Sequence, residues 1–179
     1  YEHNYPPPPG QPVAYCDRLC HRSWLRRALS LHLARGASRL RTARTAPHRY
    51  LQKSAKSPDE WQALPGALEG IARLTHAGWR IVIASNQSGL GRGLFDVAAL
   101  NAMHAKMNKQ LATMGGRIDA VFYCPHTPDE NCRCRKPLPG LFEQIGLRYG
   151  VPLKGVPACG DTVRDVVAGT SAGCEPHLV

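Results

Sequence analysis

Four side chains able to bind a metal stand within eleven positions of one another: Cys124, His126, Cys132 and Cys134. Three thiolates and one imidazole make a soft tetrahedral set, the usual donors of a closed structural zinc site. The C-x-H and C-x-C pairs are tighter than the common C-x-x-C knuckle, but the stretch from His126 to Cys134 is long enough to fold back around one ion. With all four positions filled by protein, no place remains for a metal-bound water, so such a zinc would brace its loop and hydrolyse nothing. Unliganded thiols or a single disulfide are the bland alternatives. Whatever this loop positions should matter, and directly after it come Arg135 and Lys136.

Two further polar groups accompany that cation pair. Ser85 and Asn86 follow the apolar run Arg80-Ile81-Val82-Ile83-Ala84, and Asp161 with Asp165 follow Val156-Pro157-Ala158-Cys159-Gly160. A hydroxyl with backbone N–H groups, a fixed cation and a carboxylate for Mg2+ together neutralise a transferring phosphoryl group. Each also has a plain structural reading: a turn, a solvated basic pair and a helix cap.

The elements that must position these groups alternate between strand and helix. Leu64-Pro65-Gly66 opens a helix through Leu68, Ile71 and Leu74 that ends at Gly78. Arg80–Ala84 is short and apolar enough for a strand buried on both faces. Asp96 caps a long helix with Val97, Leu100, Met103, Met107, Leu111 and Met114 on its apolar face, closed by Gly115-Gly116. Ala120–Tyr123 is the next strand. After the Cys/His-rich loop a helix runs from about Pro139 to Tyr149. A strand at Val156–Cys159, a helix from about Val163 to Ala172 and an apolar stub at His177-Leu178-Val179 complete the pattern. Strands alternating with such helices predict βαβ units and a parallel sheet, with ligands beyond the carboxyl ends of the strands.

Composition limits the remaining choices. The chain has 179 residues, 43% apolar and 20% charged, enough for one ordinary domain. No apolar run approaches the roughly 18 residues of a membrane span, and seven cysteines are too sparse for a disulfide scaffold. The formal charge of +10 is unevenly placed: residues 1–56 hold eleven Lys/Arg against two acids, the remainder twelve against eleven. This first third is expected to be a basic, Pro/Arg-rich segment, poorly ordered or aberrant. It opens on Pro6-Pro7-Pro8-Pro9 and contains one amphipathic pattern, Ser23 to Gly36, whose polar face carries Arg22, Arg26, Arg27 and Arg35. Cys16, Cys20 and His21 can be drawn as a second metal site. Cys159 and Cys174 are expected to be buried small apolar side chains, and His76, His104 and His177 to have no role.

From about Lys56 to Val179 the chain resembles a known enzyme family. The residues that carry the likeness are Ile83-Ala84-Ser85-Asn86-Gln87-Ser88-Gly89, Cys124-Pro125-His126, Cys132-Arg133-Cys134-Arg135-Lys136-Pro137 and Gly160-Asp161-Thr162-Val163-Arg164-Asp165. They resemble the D-glycero-D-manno-heptose 1,7-bisphosphate 7-phosphatases of the haloacid dehalogenase superfamily, close to its histidinol-phosphatase branch. The resemblance implies a Rossmann-like, three-layer α/β fold with a parallel sheet and a zinc-binding loop insertion. It also implies Mg2+ and Zn2+ as cofactors and hydrolysis of the 7-phosphate through an aspartyl-phosphate intermediate, in heptose and lipopolysaccharide-core precursor synthesis. Carried over by position, Ser85 steadies the phosphoryl oxygens, and Asn86, Gln87 and Ser88 line the substrate. Arg135 contacts the substrate, Lys136 neutralises phosphoryl charge and Asp161 holds Mg2+. Cys124, His126, Cys132 and Cys134 hold zinc. The implied partner is a phosphorylated sugar; no membrane or nucleic-acid partner and a monomer are expected, and free thiols without a signal peptide fit a reducing cytoplasm.

The chain also departs from the family. Family members begin with a strand ending in Asp-x-Asp-Gly, whose first Asp is the nucleophile and whose second is the general acid/base. No Asp-x-Asp exists in residues 1–56, and the family spacing falls on Leu40-Arg41-Thr42-Ala43-Arg44-Thr45-Ala46. The nearest substitute is Val13-Ala14-Tyr15-Cys16-Asp17, with Leu19 at the acid/base position. The N-terminal strand is therefore expected to be missing or replaced, as by a reading-frame change, and residues 57–179 to be a phosphatase-like domain truncated at its C-terminus. Without a replacement strand its two neighbours would expose unpaired backbone groups, so either weak stability or recruitment of residues from 11–16 is expected. The alternative function is a zinc-stabilised nucleic-acid or phosphosugar-binding module without catalysis.

Overall fold

The structure, a computed structural model, describes the backbone of Val13–Cys16 and residues 55–178 in full. The expectations for Asp17, Leu19, Cys20, His21 and the Ser23–Gly36 pattern lie outside the described residues.

Five parallel strands form one sheet in the order β3-β2-β1-β4-β5. They are β1 (Val13–Cys16), β2 (Arg80–Asn86), β3 (Ala120–Cys124), β4 (Pro157–Gly160) and β5 (Glu175–Leu178). The helices are α1 (Ala67–His76), the single turn α2 (Ser88–Gly91), α3 (Val97–Ala112), α4 (Gly140–Tyr149) and α5 (Val163–Ser171). β1 fills the central slot whose loss the sequence threatened. Val13 to Cys16 pair in register with Arg80 to Ile83 on one side, and Tyr15 and Cys16 pair with Ala158 and Cys159 on the other. The replacement strand satisfies backbone groups of β2 and β4 that would otherwise be unpaired in the middle of the sheet.

The core divides by strand periodicity. Alternate residues of a strand point to opposite faces, so Ile81 joins Leu68, Ile71, Leu74 and Leu111 from α1 and α3. Val82 and Ala84 instead join Leu141, Phe142 and Ile145 of α4 and Ala168 of α5. Ala158 and Cys159 of β4 split in the same way. Helices therefore cover both faces, which is why β2 reads as a continuous apolar run.

The expected long helix is α3, capped where Asp96 Oδ1 accepts the Ala99 N–H at 2.7 Å. Its buried stripe is Leu100, Met103, Met107 and Leu111. Val97 and Met114, expected on that face, are 50% and 39% exposed because they lie at and beyond the helix ends, where no sheet is opposed. β2 runs two residues further than expected, carrying Ser85 and Asn86 inside the strand, and the terminal stub is the edge strand β5.

Candidate active site and metal cluster

The sheet's carboxyl edge collects the chemistry. Asn86 and Cys124 are register partners at the ends of β2 and β3, and the Gln87 N–H donates to the Cys124 carbonyl at 2.7 Å. The phosphoryl-type loop and the first metal-type ligand are thus adjacent through backbone alone. Order reverses at β1, whose neighbours lead off to opposite edges, and ligands of such sheets bind at that switch point.

The four metal-type side chains converge. Their ligand atoms all lie within 4.8 Å of one another. Cys124 Sγ is 3.5 Å from Cys132 Sγ and 3.6 Å from His126 Nδ1; Cys134 Sγ is 3.5 Å from Cys132 Sγ and 3.4 Å from His126 Nδ1. A tetrahedral zinc with bonds of about 2.3 Å to sulfur and 2.0–2.1 Å to nitrogen needs edges of about 3.8 Å and 3.5 Å. The donor set and its spacing fit that ion, and the five cysteines whose side chains are described are free of disulfides. The thiols are not equivalent. Burial, helped by hydrogen bonds with Cys134 and Cys132, pushes Cys124 up to about 12, and burial also raises Cys134. Burial opposes ionisation of Cys132 as well, but hydrogen bonds from Cys124, Cys134 and the Arg135 backbone outweigh it and bring this thiol down to about 7.

The loop holding these ligands is locally determined. Thr127 and Glu130 form a capping box around the short turn Pro128–Glu130, with Thr127 Oγ1 donating to Glu130 Oε2 at 2.9 Å. Asn131 then takes a left-handed φ of 47° to turn the chain back. Gly140 opens α4 so close to the loop that an added Cβ would overlap the Arg133 carbonyl oxygen.

Arg135 and Lys136 leave the loop in different environments. The half-buried Arg135 donates from Nη1 to the His126 carbonyl at 3.1 Å, tying the end of the loop to its beginning. Lys136 is 1% exposed, which disposes of the solvated-pair reading. Its Nζ donates to the Ala84 carbonyl at 2.7 Å and sits 2.9 Å from Asp165 Oδ1. Its backbone is held too: Asn86 Nδ2 donates to the Lys136 carbonyl at 3.0 Å, and the Lys136 N–H donates to Asn86 Oδ1 at 3.1 Å. Ser85 is half-buried and its Oγ accepts from Gln87 Nε2 at 3.1 Å. Ser88 begins α2, and Asp161 is exposed one residue past the end of β4.

The structure therefore brings together Ser85, Asn86 and Gln87, Asn86 with Lys136, and the four metal-type ligands. Sequence reasoning missed the Asn86–Lys136 clamp and the burial of the Lys136–Asp165 pair. The T-x-x-D spacing of Thr162 and Asp165 is the unread signal that could have found the cap orienting Asp165, but no sequence signal pointed from Asp165 to Lys136.

A five-stranded parallel sheet of this order, with a buried lysine and an acidic β4–α5 loop at its carboxyl edge, has the architecture of the haloacid dehalogenase-like class. Known proteins narrow this further. The polynucleotide kinase 3 phosphatase family model matches residues 46–161. A D-glycero-beta-D-manno-heptose-1,7-bisphosphate 7-phosphatase from Bordetella bronchiseptica is 63% identical over 124 residues, 69% of each chain. The crystal structure of the D,D-heptose 1,7-bisphosphate phosphatase from that species, complexed with magnesium and phosphate, superposes with a TM-score of 0.68 at 63% identity over 69% of each chain. A protein of Mesorhizobium loti described as a HAD-like phosphatase superposes with a TM-score of 0.69 at 25% identity, covering 98% of this chain and 75% of its own. The chain belongs to the D-glycero-beta-D-manno-heptose-1,7-bisphosphate 7-phosphatase family. No helix among the described residues is long and apolar enough to cross a membrane.

Proposed function

We propose that the carboxyl edge of the sheet binds D-glycero-D-manno-heptose 1,7-bisphosphate by its 7-phosphate, and that hydrolysis of that phosphate is the activity the site is built for. The observation that carries this is Lys136: a buried ammonium held by the Ala84 carbonyl and the Asp165 carboxylate, on a backbone that Asn86 fixes, is a preorganised charge for a phosphoryl group. Ser85 and the N–H groups following β2 steady the phosphoryl oxygens, Asn86, Gln87 and Ser88 line the sugar, and Arg135 contacts it from the rim. Asp161 supplies a hard, exposed carboxylate that suits Mg2+, which when bound offsets phosphate charge. Cys124, His126, Cys132 and Cys134 hold zinc as a brace, since their spacing fits a closed tetrahedral site.

In this family the phosphorus is attacked by a carboxylate oxygen from the strand in the place of β1. The P–O bond to the sugar breaks as the sugar oxygen takes a proton, and water then cleaves the acyl phosphate. The sequence before residue 57 contains no Asp-x-Asp: Asp17, the residue that follows β1, has Leu19 at the acid/base position. We therefore assign this chain substrate binding with turnover far below that of its relatives, a phosphosugar binder by default. The five described cysteine side chains form no disulfide, which fits a reducing cytoplasm as its location.

The test is phosphate release from the heptose bisphosphate with Mg2+, for this chain and for Leu19→Asp, which restores an Asp-x-Asp pair beginning at Asp17, directly after β1. Release at least tenfold faster in Leu19→Asp is expected. Rapid release by the parent chain would show that another nucleophile exists, and no release from either protein would remove the assignment.

A further inference from the structure

The Cys/His loop is the densest group of nucleophilic side chains among the described residues, and its sulfurs are not equally accessible. Cys124 is fully buried, and Cys159 and Cys174 are buried elsewhere, whereas Cys132 and Cys134 are half-buried and open in part to solvent. Cys132 Sγ lies 3.5 Å from Cys124 Sγ and 3.5 Å from Cys134 Sγ. It combines access from outside with two sulfurs in contact inside.

The loop also seats one of the two cations that follow it. Arg135 comes directly after Cys134 and donates from Nη1 to the His126 carbonyl at 3.1 Å, so its guanidinium is placed by two residues of the metal-type set. Lys136 is held from elsewhere, by the Ala84 carbonyl, the Asn86 side chain and the Asp165 carboxylate. Loss of the metal would therefore free Arg135 and leave Lys136 in place.

We propose that Cys132 is a site of oxidation: hydrogen peroxide joins Cys132 to Cys124 as a disulfide, which discharges the zinc and unseats Arg135 but not Lys136. The thiolate is the reactive form of a cysteine, and metal ligation keeps the sulfur in that form. The Cys132 thiolate attacks one peroxide oxygen, the O–O bond breaks, and the departing hydroxide takes a proton to become water. The Cys124 sulfur then attacks the sulfenic acid so formed, the S–O bond breaks, and the second oxygen leaves as water after taking another proton. The two thiolates together lose two electrons, and the peroxide gains them. Cys124 is the partner because the ring it closes takes in residues 125–131, whereas a Cys132–Cys134 ring would enclose Arg133 alone and be short enough to strain the bridge. His126 and Cys134, the donors left over, are too few for a closed tetrahedral site. The effect on substrate rests on the reading of this edge as a phosphoryl site; the oxidation itself does not.

The test treats the zinc-loaded full chain with hydrogen peroxide, follows zinc with a chromogenic chelator and locates the disulfide by peptide mass mapping. One zinc released for each Cys124–Cys132 disulfide is expected, with both changes reversed by dithiothreitol and added zinc. Cys132→His keeps four donors and removes the attacked sulfur, so at least tenfold slower zinc release is expected from it. If that variant takes up no zinc, the mapping of the parent decides. Calorimetry of the oxidised chain with Mg2+ is expected to show at least tenfold weaker D-glycero-D-manno-heptose 1,7-bisphosphate and less than a threefold change for inorganic phosphate. Zinc retained under peroxide, zinc released without a disulfide, or a disulfide at another pair would overturn the proposal. Bisphosphate affinity untouched by oxidation, or phosphate affinity lost with it, would overturn it too. A reduced chain that binds neither anion would instead remove the phosphoryl-site reading, and zinc release with the mapped disulfide would then decide the proposal alone.

Discussion

Asn86 and Lys136 clasp each other across fifty positions of sequence: the Asn86 amide donates to the Lys136 carbonyl at 3.0 Å, and the Lys136 N–H donates to the Asn86 side-chain oxygen at 3.1 Å. The pair imitates a strand ladder, with one side chain standing in for a backbone, and joins the end of β2 to the exit of the Cys/His loop. Two partly buried hydrogen bonds contribute about 1–3 kcal/mol together. Asn86→Ala is expected to lower stability by about 2 kcal/mol in urea unfolding, with an unchanged m-value. A loss under about 0.5 kcal/mol would mean that the clasp is incidental.

The Cys/His cluster predicts one zinc per chain. Elemental analysis should find it in the purified protein, and Cys124→Ser or Cys134→Ser should lose it. Because a metal bound only by the folded state stabilises by mass action, chelation should lower the melting temperature. A zinc-free preparation that melts at the same temperature as the native one would contradict the assignment.

Much of this was legible in advance. The alternation of Arg80–Ala84, Ala120–Tyr123 and Val156–Cys159 with helical stretches specified the parallel sheet, because strands covered on both faces must be apolar throughout. The Cys124–Cys134 spacing marked the cluster. What was not legible depended on tertiary contact. Nothing local distinguishes a buried Lys136 from a solvated one; its burial follows from the partners that Ala84, Asn86 and Asp165 provide from three separate points of the chain. Val13–Cys16 gave a strand-like pattern, but only the open slot between β2 and β4 determines where it pairs.

Gly160 is set by the Asp165 carboxylate rather than by backbone conformation. A methyl group there would overlap a side chain that Lys136 and Thr162 hold in place. Gly160→Ala is expected to destabilise by about 1–3 kcal/mol through overpacking, measured by denaturant unfolding. Gly155→Ala, at a site with nothing within 4 Å but a φ of 74°, distinguishes steric overlap from backbone strain.

Cys174 sets an alkaline limit on stability. Burial pushes its thiol up to about 11. A group whose folded pKa is raised contributes stability in full below its unfolded pKa, near about 8.5–9, and loses it as pH rises through the folded value. Unfolding free energy should therefore fall between about pH 9 and 11, and Cys174→Ala should flatten that part of the profile. An identical slope in the variant would assign the alkaline loss to other groups.

On the proposed function, the buried Lys136 ammonium is the charge that receives a sugar phosphate at this edge. The most direct measurement is calorimetric titration of the Mg2+-loaded chain with D-glycero-D-manno-heptose 1,7-bisphosphate, beside the Lys136→Met variant. Binding by the parent and a loss of at least tenfold in the variant, with its circular dichroism unchanged, is the predicted result. Equal affinity in the two proteins, or none in the parent, would contradict the account.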